Sequence, residues 1–303
     1  MRRASADIED STAIQKKLLK LTRKRFERFV TLMPKFLVNE EPDTIHDLRV
    51  WSRRLQQTLR VILGETKGSR KAMRLLRRTR RALGTLRNLD VIYELTRQRA
   101  QEASSAAIRE GWNDLGAYLK ESRESLLVAA RNEISKHDLM KFIARVRELT
   151  SDANFADPTA QLEAAVAGSL GEWDQAYGLA DEMRSAENVH ALRIATKRLR
   201  YRAEILTDIG RGAVAPMVKD LKEIQEALGN WHDRSVLMQS AGEFLARPDF
   251  LAQHPDRAGA LLAEMEKEKR SNDGVIESIL PQAAKLRKRW HNAQPDESRT
   301  GEG

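Results

Sequence analysis

The chain contains no cysteine, and only 5% of its 303 residues are aromatic. The lack of cysteine excludes disulfide bonds and thiolate metal sites. No run of about eighteen apolar residues occurs, which excludes an ordinary membrane-spanning helix. The basic N-terminus also lacks the apolar stretch of a signal peptide. These absences predict a cytoplasmic protein that buries an ordinary core.

The sequence is also poor in helix-breaking residues. It has eight prolines, and its long stretches rich in Leu, Ala, Arg, Lys and Glu follow a helical period. The predicted fold class is therefore all-α. Turn signals and polar composition predict a disordered N-terminus over residues 1–11, a first helical half over 12–150, a linker over 151–158, a second helical half over 159–291 and a disordered tail over 292–303.

Positive charge is unevenly distributed along the chain. The net charge is +9 and the isoelectric point is about 9.8. Basic residues strongly outnumber acidic ones over residues 43–99, whereas acidic residues predominate over 100–189. A concentrated basic surface attracts polyanions in a salt-dependent way.

One segment occurs twice. HDLRVWSRRLQQTLRVIL begins at His46, and HALRIATKRLRYRAEIL begins at His190. A weaker match follows each copy, where RALGTLRNLDVI around Gly84 parallels EALGNWHDRSVL around Gly229. The pattern indicates an internal duplication with a unit of about 145 residues. It predicts two related halves that bring basic helices to a shared place.

On a helical wheel, each copy of the motif separates cations from apolar residues. The cationic stripe of the first copy contains His46, Arg49, Arg53 and Arg60, and that of the second contains His190, Arg193, Lys197 and Tyr201. Thr44 and Asn188 are predicted N-caps, which would place each histidine in the first helical turn. There the helix dipole favours a neutral histidine in an empty site, and a bound phosphate would reverse that preference.

The helix after the first motif carries a further basic stripe, formed by Arg70, Arg74, Arg77 and Arg81. In the second half, Lys219 and Lys222 are the counterparts of Arg74 and Arg77. Gly84 and Gly229 are predicted helix C-caps, and Arg87 and His232, just after them, could reach the same surface. Such stripes on consecutive helices would repel one another unless an anion offset them.

The histidines invite a metal-site interpretation, which the pattern disfavours. His46, His190 and His232 lack metal-ligand spacing, and the surrounding arginines would repel a cation. We therefore expect neither a metal nor another cofactor.

The paired H-x-L-R-[VI]-x-x-[RK]-R-L segments, each followed by an L-G turn, resemble the CHAD domain, the conserved histidine α-helical domain. The resemblance covers roughly residues 10 to 290. It implies two similar helical bundles related by approximate two-fold symmetry around a basic groove or pore. It also implies binding of inorganic polyphosphate and association with polyphosphate granules. Family members are often joined to a triphosphate-processing CYTH domain, which we do not expect here.

By motif position, the resemblance implies polyphosphate-binding roles in both halves for His46, Arg49, Arg53, Arg74, Arg77, His190, Arg193, Lys197, Lys219 and Lys222. The leading hypothesis is non-enzymatic polyphosphate binding, and phosphate or sulfate ions are expected at the same positions in crystals. A nonspecific nucleic-acid-binding protein is the alternative, although no recognition motif is present. An enzyme acting on phosphate polymers is a further alternative, although few carboxylates accompany the basic stripes.

Overall fold

The computed structural model describes residues 2–63, 67–151 and 158–292, whose backbone is almost entirely helical. The elements are α1 (Arg2–Val38), α2 (Pro42–Leu63), α3 (Lys67–Ala82), α4 (Gly84–Glu102), α5 (Ala106–Ser135), α6 (Leu139–Ser151), α7 (Pro158–Glu182), α8 (Ala186–Asp208), a 3₁₀ turn (Gly212–Val214), α9 (Ala215–Leu245), α10 (Pro248–Gln253) and α11 (Pro255–Asn292).

The predicted all-α class is confirmed, and no strand occurs in the described ranges. Helix α1 begins at Arg2 and so includes most of the segment expected to be disordered, because no glycine or proline interrupts it there. Residues 152–157 of the predicted linker and residues 293–303 of the predicted tail lie outside the described residues. None of the described helices has both the length and the apolar character of a membrane span.

The motif helices begin earlier than the sequence predicts. Helix α2 starts at Pro42, so Thr44 is buried inside the helix and does not cap it. In the second half the N-cap is Ser185, whose hydroxyl accepts a hydrogen bond of 3.2 Å from the backbone N–H of Asn188. Both predicted caps were therefore wrong. The motif histidines lie in the second helical turn, beyond the free N–H groups of the helix start.

Two apolar cores hold the helices together, and neither is confined to one half of the sequence. The first core joins α1, α2, α3, α6 and the end of α5 to α7, α8, the start of α9 and the end of α11. The second core joins α4 and the start of α5 to the end of α9, α10 and the start of α11. The arrangement in two similar bundles with two-fold symmetry stays a prediction.

Helix α9 runs through both cores without a break. The sequence predicts a helix end at Gly229, but α9 continues from Ala215 to Leu245. Leu228 and Trp231, on either side of the glycine, are both buried in the first core. Their packing offsets the cost of about 1 kcal/mol of a glycine in a helix interior.

A buried carboxylate attaches the start of α9 to the end of α11. The Asp220 carboxylate accepts hydrogen bonds from the Trp290 indole N–H at 3.2 Å and from the Arg289 guanidinium at 3.1 Å. The Trp290 ring packs against Trp173 of α7, with 5.1 Å between the ring centroids. These contacts fix the position of α9 relative to α7 and α11.

Helix α8 ends at a glycine, Gly210, whereas α9 continues through Gly229. Gly210 has a φ of 102°, and its N–H donates to the Thr207 carbonyl at 3.0 Å. The next N–H, of Arg211, donates to the Leu206 carbonyl at 2.9 Å. These two bonds form a Schellman motif, in which glycine is favoured because it adopts a positive φ without strain.

These two glycines predict opposite effects of alanine. Gly229→Ala should raise the free energy of unfolding by about 0.5–1 kcal/mol, because a Cβ there meets no atom within 4 Å and alanine favours the helix. Gly210→Ala should lower it by about 1 kcal/mol or more, because alanine is strained at a positive φ. Urea unfolding followed by circular dichroism measures both. Destabilisation by Gly229→Ala would show that α9 breaks at this glycine.

Candidate anion-binding site

A cavity of about 510 Å³ lies where α2, α4, α8 and α9 meet, and we call it the central groove. The lining residues are His46, Arg49, Val50, Arg53, Arg54, Arg87, Asn88, Val91, Arg193, Lys197, Arg200, Tyr201, Lys222, Gln225, Glu226, Gly229, Asn230 and Asp233. Eight of them are arginine or lysine, and Glu226 and Asp233 are the two carboxylates among them. The groove thus holds a large excess of positive charge between the first and second halves of the sequence.

The α2 wall of the groove follows directly from its sequence pattern. Leu48, Leu55 and Leu59 are fully buried on one face of the helix, which leaves the opposite face, with Arg49 and Arg53, to line the cavity. Packing of the apolar face therefore sets the direction of the cations.

Arg49 is held in place from the next helix. Its Nη1 donates a hydrogen bond of 2.6 Å to the backbone carbonyl of Arg80 at the end of α3. Gly84 begins α4 beside this contact, and a Cβ there would lie 3.3 Å from the same Nη1. The glycine thus permits the close approach of Arg49 and is not the C-cap that the sequence predicts. Burial, with the nearby charges of Arg53 and Arg87, lowers the pKa of Arg49 to about 10.

The α8 wall contains the most strongly perturbed cation of the groove. Burial, together with the charges of Arg193 and Arg53, lowers the pKa of Lys197 to about 7. The pKa of Arg193 is also lowered by burial, and the charge of Asp233 opposes that shift. Burial in turn raises the pKa of Asp233, against the effect of Arg193 and Lys197. One carboxylate therefore offsets only part of the positive charge.

Tyr201 positions two arginines of the groove. The Arg53 guanidinium of α2 lies 5.6 Å from the centroid of the Tyr201 ring. The Arg200 guanidinium of α8 lies 4.5 Å from the same centroid. These cation–π contacts hold cations from both sequence halves around one buried ring.

The two motif histidines and His232 occupy different positions. His46 lines the groove, whereas His190 and His232 lie against each other with ring centroids 5.3 Å apart. Burial and the charge of Arg87 lower the pKa of His46, and burial and Arg193 lower that of His190. Burial and Arg193 lower the pKa of His232 to about 4. Without a bound anion, neutral histidines are thus favoured by partial desolvation and by neighbouring arginines, and not by the helix start.

The sequence model of the CHAD domain matches residues 20–242, a range that includes every residue lining the central groove. The chain belongs to the CHAD domain family. The family resemblance of the paired motifs is thereby confirmed.

Two solved structures share the CHAD fold with this chain. The CHAD domain from the plant Ricinus communis is 19% identical, with a TM-score of 0.64, and the match covers 88% of this chain and 91% of that one. PptA from Streptomyces chartreusis is 16% identical, with a TM-score of 0.71, and the match covers 89% of this chain and 99% of that one. No curated protein matches the sequence.

The structure brings together only part of the predicted CHAD site. His46, Arg49, Arg53, Arg87, Arg193, Lys197, Tyr201 and Lys222 line the central groove. Arg60, Arg70, Arg74, Arg77, Arg81, His190, Lys219 and His232 do not. The α3 stripe points elsewhere because α3 packs behind α2 and also against α5 and α6. Arg74 lines a separate cavity there.

Several groove residues of this CHAD domain were missed from the sequence. Arg54, Asn88, Arg200, Gln225, Glu226, Asn230 and Asp233 line the cavity. Arg54 is the second member of the basic pair in the first motif, so the repeat itself contained that signal. Asp233 follows the predicted helix end at Gly229, but it lies inside α9 because that helix does not end there.

Arg80 was missed because it lies at the edge of the α3 stripe. It donates hydrogen bonds to the Gln56 side-chain oxygen and to the Ser52 carbonyl of α2. Burial and the charges of Arg53 and Arg49 lower its pKa to about 10. Arg80 therefore adds to the positive field directly behind the groove. Among the described residues, no three His, Asp or Glu side chains form a metal-binding group.

The depressed pKa of Lys197 predicts a pH-dependent stability. Between its folded pKa of about 7 and the ordinary value of 10.5, the unfolded chain binds more protons than the folded chain. The free energy of unfolding of the ligand-free protein should therefore rise with pH over this interval, with Lys197 contributing a slope of up to about 1.4 kcal/mol per pH unit. Below pH 7 both states are protonated, so the lysine contributes no slope. Urea unfolding at several pH values measures this.

Lys197→Met should remove that contribution to the slope. Lys222→Met, which changes an exposed lysine of the same groove, is the matched control and should retain it. Identical slopes for the wild type and Lys197→Met would contradict a depressed lysine pKa.

Proposed function

We propose that this CHAD domain binds inorganic polyphosphate in the central groove and does not turn it over. The observation that carries the proposal is the charge of the cavity lining, with eight arginines and lysines from four helices against two carboxylates. The family resemblance supports the same ligand, because it implies binding of polyphosphate.

Repulsion among the groove cations favours an anionic ligand. The pKa values of Arg49, Arg193 and Lys197 are all lowered, so burial and mutual repulsion work against their charged forms. Partial removal of these cations from water also strengthens each interaction with an opposite charge. An anion that enters the groove therefore gains from charges that the fold has already desolvated and positioned.

The spread of the cations suits an extended anion better than a single phosphate. They come from α2, α4, α8 and α9 and so surround the cavity. The planar guanidinium group of arginine can bind two phosphate oxygens at once, whereas a lysine acts as a point charge. Polyphosphate offers negative charge on every unit, so it can meet several of these groups without any sequence to be recognised.

The groove offers little to the bases of a nucleic acid. Among the described lining residues, Tyr201 is the one phenylalanine, tyrosine or tryptophan. Its ring is buried beneath the guanidinium groups of Arg53 and Arg200. Base stacking needs an accessible ring. This arrangement favours polyphosphate over nucleic acid as the ligand.

Proton uptake should accompany binding of polyphosphate. A phosphate near His46 and Lys197 would raise their lowered pKa values and favour the charged forms. The histidine could then donate a hydrogen bond to a phosphate oxygen. The same affinity would recruit the protein to polyphosphate granules in the cytoplasm.

Removing four groove cations tests the proposal. The variant Arg49→Ala, Arg53→Ala, Arg193→Ala and Lys197→Ala should lose at least about a thousandfold in polyphosphate affinity, since each hydrogen bond to a charged group contributes about 1.5–3 kcal/mol. Titration calorimetry at low salt measures the affinity, and circular dichroism checks that the helical content is retained. Wild-type binding should weaken steeply as salt increases.

A matched control removes four cations of α11, namely Lys269, Arg270, Lys285 and Lys288, none of which lines the groove. This control should keep most of the wild-type affinity. Equal losses in the two variants would indicate an effect of net charge alone. Tighter binding of single-stranded DNA than of polyphosphate of equal charge would favour the nucleic-acid alternative.

The absence of turnover is a separate expectation. The lining contains two carboxylates, Glu226 and Asp233, and the charges of Arg193 and Lys197 surround the latter. On incubation with polyphosphate and magnesium or manganese, we expect no more phosphate release than without protein. Release by the wild type that disappears in the four-residue groove variant would establish an enzyme.

A further inference from the structure

A second cationic cavity lies between α3, α6 and the turn that joins α5 to α6, and we call it the α3–α6 groove. Its volume is about 400 Å³. The lining residues are Lys71, Ala72, Arg74, Leu75, Arg78, Lys136, His137, Asp138, Lys141, Phe142 and Arg145. Six of them are arginine or lysine, and one is a carboxylate.

Most of this positive charge has no carboxylate partner. Asp138 pairs with Lys141 at 2.9 Å, and Lys136 pairs at 3.3 Å with Glu133, which lies outside the lining. Lys71, Arg74, Arg78 and Arg145 make no ion pair with any described residue. The groove therefore has four cations free to meet an anion.

The cations form two facing rows. Arg74 and Arg78 are four residues apart on α3, and Lys141 and Arg145 have the same spacing on α6, which packs against α3. Like charges at this spacing repel each other on a helix, so an anion along either row would be stabilising, although Asp138 already offsets part of the charge of Lys141. The floor between the rows includes the buried ring of Phe142 and the buried Ala72. Packing of this floor holds the rows at a fixed separation.

His137 adds an unsatisfied group at one end of this groove. Its Nε2 atom is buried and has no hydrogen-bond partner among the described residues. Burial lowers its pKa, and the charge of Arg78 acts in the same direction. An anionic ligand in the groove would offset the positive charge of Arg78.

A line of cations on α3 leads from this groove to Arg80, which lies behind the α2 wall of the central groove. Arg80 contacts Arg49 through its carbonyl, and its pKa is lowered by the charges of Arg53, Arg49 and Arg77, among others. Arg77 lies three residues before Arg80, and Arg74 lies three residues before Arg77, so each is a neighbour of the next on the helix surface. Arg77 and Arg74 are both exposed. The distance along α3 from Arg80 to Lys71 is about 14 Å.

We propose that the α3–α6 groove is a second site for the phosphate polymer, and that a chain reaching both grooves binds more tightly than one that fills only the central groove. This inference rests on the proposed function of the central groove. A polymer held at the first site would be presented to the second at a high effective concentration, so its affinity would rise without any new type of contact. The α3 arginines that fall outside the central groove thereby acquire a role in selecting chain length.

The test compares two ligands, tripolyphosphate and polyphosphate chains of several tens of units, with concentrations expressed per chain. The variant Lys71→Ala, Arg78→Ala and Arg145→Ala should bind tripolyphosphate within about twofold of the wild type. It should bind the long chain at least about tenfold more weakly than the wild type does, because the second site contributes through effective concentration. Calorimetry at low salt measures both affinities, and circular dichroism confirms folding.

Two further variants control for charge. Lys269→Ala, Arg270→Ala and Lys288→Ala removes the same number of cations from α11, outside both grooves, and should keep the wild-type preference for the long chain. Lys71→Arg, Arg78→Lys and Arg145→Lys keeps the charge of the α3–α6 groove and should retain most of that preference.

The outcomes separate this inference from the proposed function. If the alanine variant binds both ligands as the wild type does, the second site is overturned while the function of the central groove stands. If its affinity for the two ligands falls by the same factor, the α3–α6 groove acts only through its long-range field, and the second site is again overturned. If the wild type binds neither ligand, the proposed function itself fails.

Discussion

The structure depends on how a group of like charges is held together beside an apolar core. Arg49, Arg193 and Lys197 are partly removed from water and brought close to one another, although each of these changes is unfavourable for a cation. The apolar faces of α2 and α8 offset this cost, because burial of their leucines stabilises both helices. With the leucines buried, the cations on the opposite faces point into the groove. The unfavourable electrostatic free energy of the cations is thus offset by the favourable free energy of burying the apolar core.

The same constraint explains how far the sequence could predict the site. Leu48, Leu55 and Leu59 of α2 must be buried, so the direction of Arg49 and Arg53 follows from the helical wheel alone. The wheel of α8 predicts the positions of Arg193 and Lys197 in the same way, but its cationic stripe also includes His190, which lies outside the groove lining, and Tyr201, which is buried. The cations in the middle of each motif were therefore predicted well, whereas the ends of the stripes were not.

The α3 stripe shows where such reasoning stops. Its periodicity was evident, but α3 packs against α2 on one side and against α5 and α6 on another, so a wheel cannot tell which cavity each arginine meets. Arg74 accordingly lies in a different groove from Arg49. Gly229 is a similar case, because tertiary packing around Leu228 and Trp231 overrides the local signal for a helix end. Packing between distant helices determines both the direction of the α3 arginines and the continuation of α9 through Gly229, and local sequence patterns do not encode such packing.

The unbroken α9 helix has a consequence for how a ligand is received. It contributes to both cores and to the wall of the central groove between them. Closing or widening the groove by a hinge motion would therefore require bending a 31-residue helix that is packed along its length. If the groove binds polyphosphate as proposed, an unbent α9 would leave most of the loss of conformational entropy on association to the polymer. Under that proposal, polyanions of equal charge but different stiffness would bind with different affinities.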